Sequence, residues 1–100
     1  MTTLLQFDFP FDGPFGAGMT AALDGLAQDI ATEDGLIWKI WTENEAERRA
    51  GGIYLFSDAA AVARYADKHK ARLEGFGVIG IVARSFAVNA ELSALTRAPL

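Results

Sequence analysis

The chain has no cysteine and only one histidine among its 100 residues. Without cysteine it can form no disulfide, and it offers neither a thiolate nucleophile nor a cysteine-based metal site. The single histidine leaves only carboxylates as further metal ligands, and these are not clustered in the sequence. We therefore expect no metal. Since disulfides are rare in reducing compartments, the lack of cysteine also favours the cytoplasm.

Positive charge is in short supply as well. Nine basic residues against thirteen acidic residues give a formal net charge of −4. This balance disfavours nucleic acid and anionic membrane surfaces as partners. No apolar run approaches the roughly 20 residues needed to span a bilayer. The first residues lack the basic region and long apolar core of a signal peptide, so we expect no secretory leader.

The composition is that of one globular domain over residues 1–100, with 51% hydrophobic and 22% charged residues. Hydrophobic periodicity predicts strands, helices and strands in the order βαββαβ. This order predicts an α+β, ferredoxin-like fold, in which both long helices cover one face of an antiparallel sheet. The predicted elements are strands at Leu4–Phe9, Gly35–Glu43, Gly51–Phe56 and Val78–Val88, helices at Ala17–Thr32 and from the Asp58 cap to Gly75, and a short terminal helix capped by Asn89.

The central hairpin carries large apolar side chains on both of its faces. Alternation predicts that Leu36 and Trp38 share one face and that Lys39 and Trp41 share the other. Since the helices can cover only one face, we expect a second copy of the chain on the other, which would form a dimeric α+β barrel. The Gly51-Gly52 pair predicts a bulge or a close contact in the second arm.

The sequence also supports predictions for one loop and for one glycine. The charged connection Asn44–Ala50 is typical of a solvated loop, and the alternative is a lid over a pocket. Gly25 lies inside the first predicted helix, next to its apolar stripe, which suggests close packing of this helix on the sheet.

Several stretches together resemble the family of YdhR-type mono-oxygenases, and the resemblance covers nearly the whole chain. It implies the dimeric α+β barrel superfamily, whose better-known members use O₂ without flavin, haem or metal. Their substrates are electron-rich phenols and their products are quinones. The stretches that carry the resemblance are Leu4–Phe7, Asp12–Gly16, Gly35–Glu43, Gly51–Phe56, Lys68-His69 and Ala71–Leu73.

The resemblance therefore implies a homodimer that oxidises a small aromatic substrate with O₂ and needs no cofactor. Fold does not fix function, however. The alternative is a non-catalytic protein that binds a small ligand on the same barrel, and a haem-degrading relative is a weaker third possibility.

His69 is the candidate catalytic residue. It falls on the apolar stripe of the second helix together with Val62, Tyr65 and Leu73. Cofactor-free oxygenation requires that a proton leave the substrate, and imidazole titrates in the right range to accept it. The alternative is a hydrogen-bonded core histidine.

Four aromatic residues are candidates for substrate binding in the gap between the sheet and the helices. A tryptophan can stack on a flat ligand, and a tyrosine can donate a hydrogen bond to a ligand oxygen. The alternative is that these side chains only fill the core. The candidates are Trp38, Trp41, Tyr54 and Tyr65.

Three charges lie within predicted strands, namely Lys39, Glu43 and Arg84. They are typical of strand ends or of ion pairs between subunits, and the functional alternative is a cation beside a developing phenolate or superoxide. Residues 16–21 also fit a Gly-x-Gly-x-x-Ala pattern. We do not interpret this as dinucleotide binding, because the chain is too short for the doubly wound sheet that such a site needs.

Overall fold

The computed structural model describes all 100 residues and has the predicted order of elements. Its four strands form one antiparallel sheet in the order β2-β3-β1-β4, and both long helices follow the ferredoxin-like pattern. The α+β, ferredoxin-like prediction is therefore confirmed. The elements are β1 (Thr3–Pro10), α1 (Ala17–Ala31), β2 (Leu36–Asn44), β3 (Arg49–Phe56), α2 (Ala59–Gly75), β4 (Val82–Ala87) and α3 (Ala90–Leu95).

The core lies between the sheet and the helices. On β1 every second side chain is buried, and Leu5 and Phe7 are only 1% exposed. Tyr54 and Phe56 of β3 continue this face, since Tyr54 is in register with Leu5 and Phe56 with Thr3. This alternation follows from the period of two along a strand, and it turns the other set of side chains toward the face that neither long helix covers.

Close backbone approach explains the glycine pair in β3. A Cβ atom at Gly51 would lie within bonding distance of the Phe7 carbonyl, and one at Gly52 would lie 2.6 Å from Cε of Lys39. The predicted close contact is thus confirmed. The strand also begins earlier than predicted, because Arg49 and Ala50 pair with Pro10 and Phe9. The turn between β2 and β3 is accordingly shorter than the predicted seven-residue loop.

A bulge in β2 changes one face assignment. The register with β3 shifts between Leu36 and Trp38, so that Leu36 pairs with Phe56 and Trp38 with Leu55. Leu36 therefore shares the helix-covered face with Trp41, and the prediction that it shares a face with Trp38 is wrong. Trp38 and Trp41 lie on opposite faces, as predicted.

The two long helices are buried to different degrees. The stripe of α2 buries Val62, Tyr65, His69 and Leu73, and the Asp58 carboxylate caps this helix by accepting from the Ala61 amide at 2.8 Å. The slightly shorter α1 buries only Met19 and Ile30. A Cβ atom at Gly25 would meet nothing within 4 Å, so the prediction of close packing there is wrong.

The last strand is shorter than predicted. Gly80 adopts a positive φ of 69°, which a β-strand residue cannot have, and β4 runs only from Val82 to Ala87. Asn89 caps α3 as predicted, by accepting from the Leu92 amide at 3.1 Å.

The uncovered face of the sheet, which we call the open face, carries several apolar side chains. Ile40, Val82 and Phe86 are 53%, 41% and 45% exposed. The C-terminal residues reach one end of this face, where the Trp38 indole donates to the Pro99 carbonyl at 2.6 Å. Leu55, which pairs with Trp38, is fully buried.

None of the helices combines the length and the hydropathy that a bilayer crossing requires.

Candidate active site

A buried polar cluster lies between β3 and α2. The Tyr65 hydroxyl donates to the Tyr54 hydroxyl at 3.0 Å, and both side chains are fully buried. The Tyr65 ring stacks on the His69 ring with centroids 5.1 Å apart. Burial raises the pKa of Tyr65 to about 12 and the pKa of Tyr54 well above its usual range. Both phenols are therefore neutral at physiological pH.

His69 is held by Arg72, one turn further along α2. The Arg72 guanidinium approaches Nδ1 of His69 at 3.0 Å through Nη2 and at 3.3 Å through Nε. Since a guanidinium only donates, Nδ1 accepts and the ring proton belongs on Nε2. Burial first, and then the charges of Lys39 and Arg72, lower the pKa of His69 to about 3. The imidazole is therefore neutral in the folded protein.

Arg72 also joins the two long helices. Its Nη1 donates to Oδ2 of Asp29 on α1 at 2.9 Å. A chain of polar contacts thus runs from Asp29, which is half-exposed, through Arg72 to the buried His69. No buried side-chain nitrogen or oxygen in the protein is left without a hydrogen-bond partner.

Lys39 of β2 is the one cation of this region with no acidic partner. Its Nζ lies 3.3 Å from the centroid of the Trp41 ring and 4.7 Å from that of Tyr54, and it forms no salt bridge. Burial, followed by the charge of Arg72, lowers the pKa of Lys39 to about 7. The ammonium and the neutral amine are therefore both populated near pH 7.

A cleft of about 240 Å³, lined mostly by hydrophobic residues, opens between α1 and β2, and we call it the α1–β2 cleft. A neighbouring cavity of about 150 Å³ shares Ala27 and Trp41 with it, so that Trp41 forms a common wall. The residues that line the α1–β2 cleft are Ala27, Ile30, Ala31, Leu36, Ile37, Trp38, Lys39 and Trp41.

The candidate residues therefore divide into two groups. Trp41 lines the α1–β2 cleft from the helix-covered face, and Trp38 borders it although its indole lies on the open face, whereas Tyr54, Tyr65 and His69 lie in the buried cluster behind it. Lys39 joins the two groups, because it lines the cleft and its amine reaches over the Tyr54 ring. The predicted roles of these residues stay predictions.

Sequence reasoning did not identify Arg72 and Asp29. Arg72 follows His69 by three residues, and side chains at this spacing are neighbours on a helix surface. That spacing was a usable signal for Arg72. Asp29 had none, because its contact depends on how α1 and α2 lie side by side.

Two other kinds of site find no support in the geometry. The Glu43 carboxylate accepts from the Gly16 amide at 2.9 Å, so an acidic group already occupies the position at the start of α1 where a phosphate would bind. No three potential metal-ligating side chains lie together anywhere in the chain.

The fold and this region define the class of the protein: it is a ferredoxin-like α+β protein with an apolar cleft and a basic, aromatic cluster beneath one helix. Residues 4–99 match the family described as "Putative mono-oxygenase ydhR". The chain belongs to this family. No curated protein is similar enough to the chain to count as a match.

Proposed function

We propose that the protein is a cofactor-independent mono-oxygenase that oxidises a small, electron-rich aromatic molecule of the phenol or quinol type with O₂. The observation that carries the proposal is the unpaired amine of Lys39, which lies between the apolar α1–β2 cleft and the Trp41 and Tyr54 rings. Membership of the mono-oxygenase family supports the reaction class.

The reaction needs no external reductant. A phenol with an oxidisable CH₂ group gives a carbonyl and water, R₂CH₂ + O₂ → R₂C=O + H₂O, so that both oxygen atoms and all electrons are accounted for. Proton removal yields an electron-rich anion that can pass an electron to O₂. A nearby cation stabilises both the anion and the superoxide that forms.

We propose that Lys39 removes the proton. Because its pKa is lowered to about 7, the neutral amine is present at physiological pH and the ammonium formed still carries useful charge. Lys39 also lines the cleft, where a substrate ring can lie against Trp41. These two observations support Lys39 as the group that contacts the substrate.

His69 was predicted as the base, and it stays the second candidate. Its Nδ1 already accepts from Arg72, and it is not among the residues that line the α1–β2 cleft. In our proposal His69 therefore lies behind Lys39. As a neutral imidazole it adds no charge to the region, so that Lys39 and Arg72 are the cations there.

Oxygen uptake with an anthrone-type phenol, measured with metals chelated, tests the proposal. We expect Lys39→Met to lower turnover by roughly 10²-fold or more, the usual contribution of a positioned base. We expect His69→Gln to lower it tenfold at most. The exposed Lys70 of α2 provides the matched control, because Lys70→Met removes a lysine far from the cleft lining.

Parental turnover in Lys39→Met would contradict the role of Lys39. If His69→Gln then lost roughly 10²-fold, the originally predicted base would be the correct one.

The second candidate function is non-catalytic binding of a small ligand. It is favoured by one observation: the hydroxyls of Tyr54 and Tyr65 and Nδ1 of His69 are all hydrogen-bonded, so that Lys39 is the one unpaired group of the kind that catalysis often uses. Binding of an aromatic ligand without any oxygen uptake would support this function.

We also propose that the protein is a homodimer joined through the open face. The support is the set of exposed apolar side chains Ile40, Val82 and Phe86 on a sheet surface that neither long helix covers. Phe86→Asp should convert the dimer to a monomer in sedimentation velocity. Phe76→Asp, which changes an exposed phenylalanine just after α2, should leave the dimer intact. A wild-type chain that sediments at 10.7 kDa would contradict the proposal.

A further inference from the structure

Charge is unbalanced around the inner end of the α1–β2 cleft. Lys39 and Arg72 both lie close enough to His69 to disfavour its protonation. Asp29 is the only acidic partner that either cation has, and it is bonded to Arg72. Lys39 is thus a largely buried cation without a counter-ion in a protein whose net charge is −4. Buried charges are ordinarily paired, so this arrangement has room for one negative charge from outside.

We propose that the α1–β2 cleft binds a small aromatic monoanion, with the anionic group on Nζ of Lys39 and the ring against Trp41. The proposal uses the same cleft but goes beyond the function proposed above, because it assigns a class of ligand that arrives with an ionised acidic group. Such a ligand holds Lys39 as the ammonium and would occupy the cleft in place of a neutral phenol that Lys39 deprotonates. It differs from that function in that binding alone tests it.

The size and the lining of the cleft set the size of the ligand. A volume of about 240 Å³ lies below the roughly 300–1,000 Å³ of cavities that hold drug-sized molecules, so a ligand of one or two rings fits. Seven of its eight lining residues are hydrophobic, and Lys39 is the remaining one. A ligand with an apolar body and a single charged group therefore matches the residue types that line the cleft, since the body can lie against hydrophobic side chains and the charge can reach Lys39.

Binding is coupled to protonation of Lys39. Besides Lys39 itself, the titratable and charged groups that face this region are Tyr54 from β3, Tyr65, His69 and Arg72 from α2, and Asp29 and Glu33 from α1 and its end. Glu33 is bonded to Lys68 and Asp29 to Arg72. The tyrosines and His69 are neutral between pH 6 and pH 10. Lys39 is therefore the one cation of this region that has no acidic partner, and it is the one group there that titrates between pH 6 and pH 10.

The direction of the pH dependence follows from this coupling. Free Lys39 loses its proton above a pKa of about 7. An anion on Nζ favours the ammonium form, so binding above that pH takes up a proton. Affinity for an anion whose own charge is constant should consequently fall as the pH rises.

The test compares 2-naphthoate with 2-naphthalenemethanol, its neutral counterpart of nearly the same shape, by isothermal titration calorimetry. The carboxylate stays ionised throughout the range used, so any pH dependence belongs to the protein. At pH 6.5 we expect naphthoate to bind at least tenfold more tightly than the alcohol. At pH 9.5 this preference should vanish. At pH 8, titrations in two buffers of different ionisation enthalpy should report net uptake of a substantial fraction of one proton per ligand.

Variants assign the effect to Lys39. Lys39→Met should abolish the preference for naphthoate at pH 6.5 and leave binding of the alcohol intact at both pH values, which also shows that the variant is folded. Lys70→Met should behave as the wild-type protein does.

Equal affinity for the two probes at pH 6.5, or an unchanged preference in Lys39→Met, would overturn the inference. Neither result would bear on turnover of a neutral phenol. Conversely, naphthoate binding that depends on Lys39, together with no oxygen uptake from any phenol, would uphold the anion site and reject the mono-oxygenase.

Discussion

The two long helices lie on the same face of the same sheet, yet they are attached to it in different ways. The α2 side buries five residues of its helix, and its polar groups are bonded to one another. The α1 side buries two residues of a helix of similar length and leaves the α1–β2 cleft beneath it. The packed half of the helix layer thus provides stability, and the loosely packed half provides room for a ligand.

Polar contacts near the two ends of α1 add to an apolar contact that is only partial in the middle, where Leu23 and Leu26 are half-buried. Glu43 accepts from the Gly16 amide at the start of the helix, and Asp29 accepts from Arg72 near its end. Ala27 lies between these attachments and lines both cavities. A helix held near its ends can stand off the sheet without being free, and this is how the fold keeps a cleft open.

The largest predicted effect on stability comes from truncating one leucine on each helix and comparing the two costs. Leu73 of α2 is 6% exposed, whereas Leu26 of α1 is only partly buried. We expect Leu73→Ala to lower the free energy of unfolding by about 2–4 kcal/mol, because it removes a buried side chain and leaves a cavity. Leu26→Ala should cost about 1 kcal/mol. Urea unfolding measures both, and equal costs would contradict the contrast between the helices.

Acid should destabilise the α2 side. The pKa of folded His69 is about 3, against an ordinary value of 6.5. Between these values the unfolded chain binds a proton that the folded chain does not, so stability falls as the pH falls through this window. From pH 6.5 to pH 5 we expect a loss of about 2 kcal/mol from this group. The free energies of unfolding of the wild-type protein and of His69→Gln are measured against pH, and their difference separates the contribution of His69 from that of the carboxylates. If the two plots run parallel, the pKa of His69 is ordinary.

The free energy of unfolding should also depend on pH through the α1 side, where alkali removes a cost to stability. Because the pKa of folded Lys39 is lowered to about 7 from 10.5, charging this residue costs stability below pH 7, and the cost disappears as the pH approaches 10.5. Lys39→Met should therefore be more stable than the wild-type protein by about 1–2 kcal/mol at pH 6.5 and no more stable at pH 10.5. Thermal unfolding at the two pH values checks this, with Lys70→Met as the control. A destabilised Lys39→Met protein at pH 6.5 would mean that the amine contributes more by its cation–π contacts than its burial costs.

Local patterns predicted much of this fold. Alternation along β1, the apolar stripe of α2 and the caps Asp58 and Asn89 depend on a few neighbouring residues, and the structure confirms each of them. The errors arose where the geometry depends on distant partners. The bulge that moves Leu36 to the other face exists only through the pairing of β2 with β3.

The same distinction applies to the site. The sequence contained the residues, but the low pKa of Lys39 depends on burial by Trp41 and Tyr54 and on the charge of Arg72, which no local pattern encodes. Lys39 was therefore only an alternative in the sequence analysis. The homodimer, the cytoplasmic location, the substrate and the lack of a cofactor stay predictions.

The smallest predicted change in stability is that of a substitution at Gly25, and it tests the space beneath α1 most directly. Gly25 lies in the middle of this helix, and a Cβ atom built there would meet nothing within 4 Å. Glycine costs about 1 kcal/mol relative to alanine inside a helix, because it loses more backbone freedom on folding. If α1 stands off its surroundings as described, Gly25→Ala should raise the free energy of unfolding by about 0.5–1 kcal/mol. Gly51→Ala provides the contrast within β3, since its new methyl group would collide with the Phe7 carbonyl and should prevent folding. A destabilised Gly25→Ala protein would mean that α1 packs more closely in solution than the cleft requires.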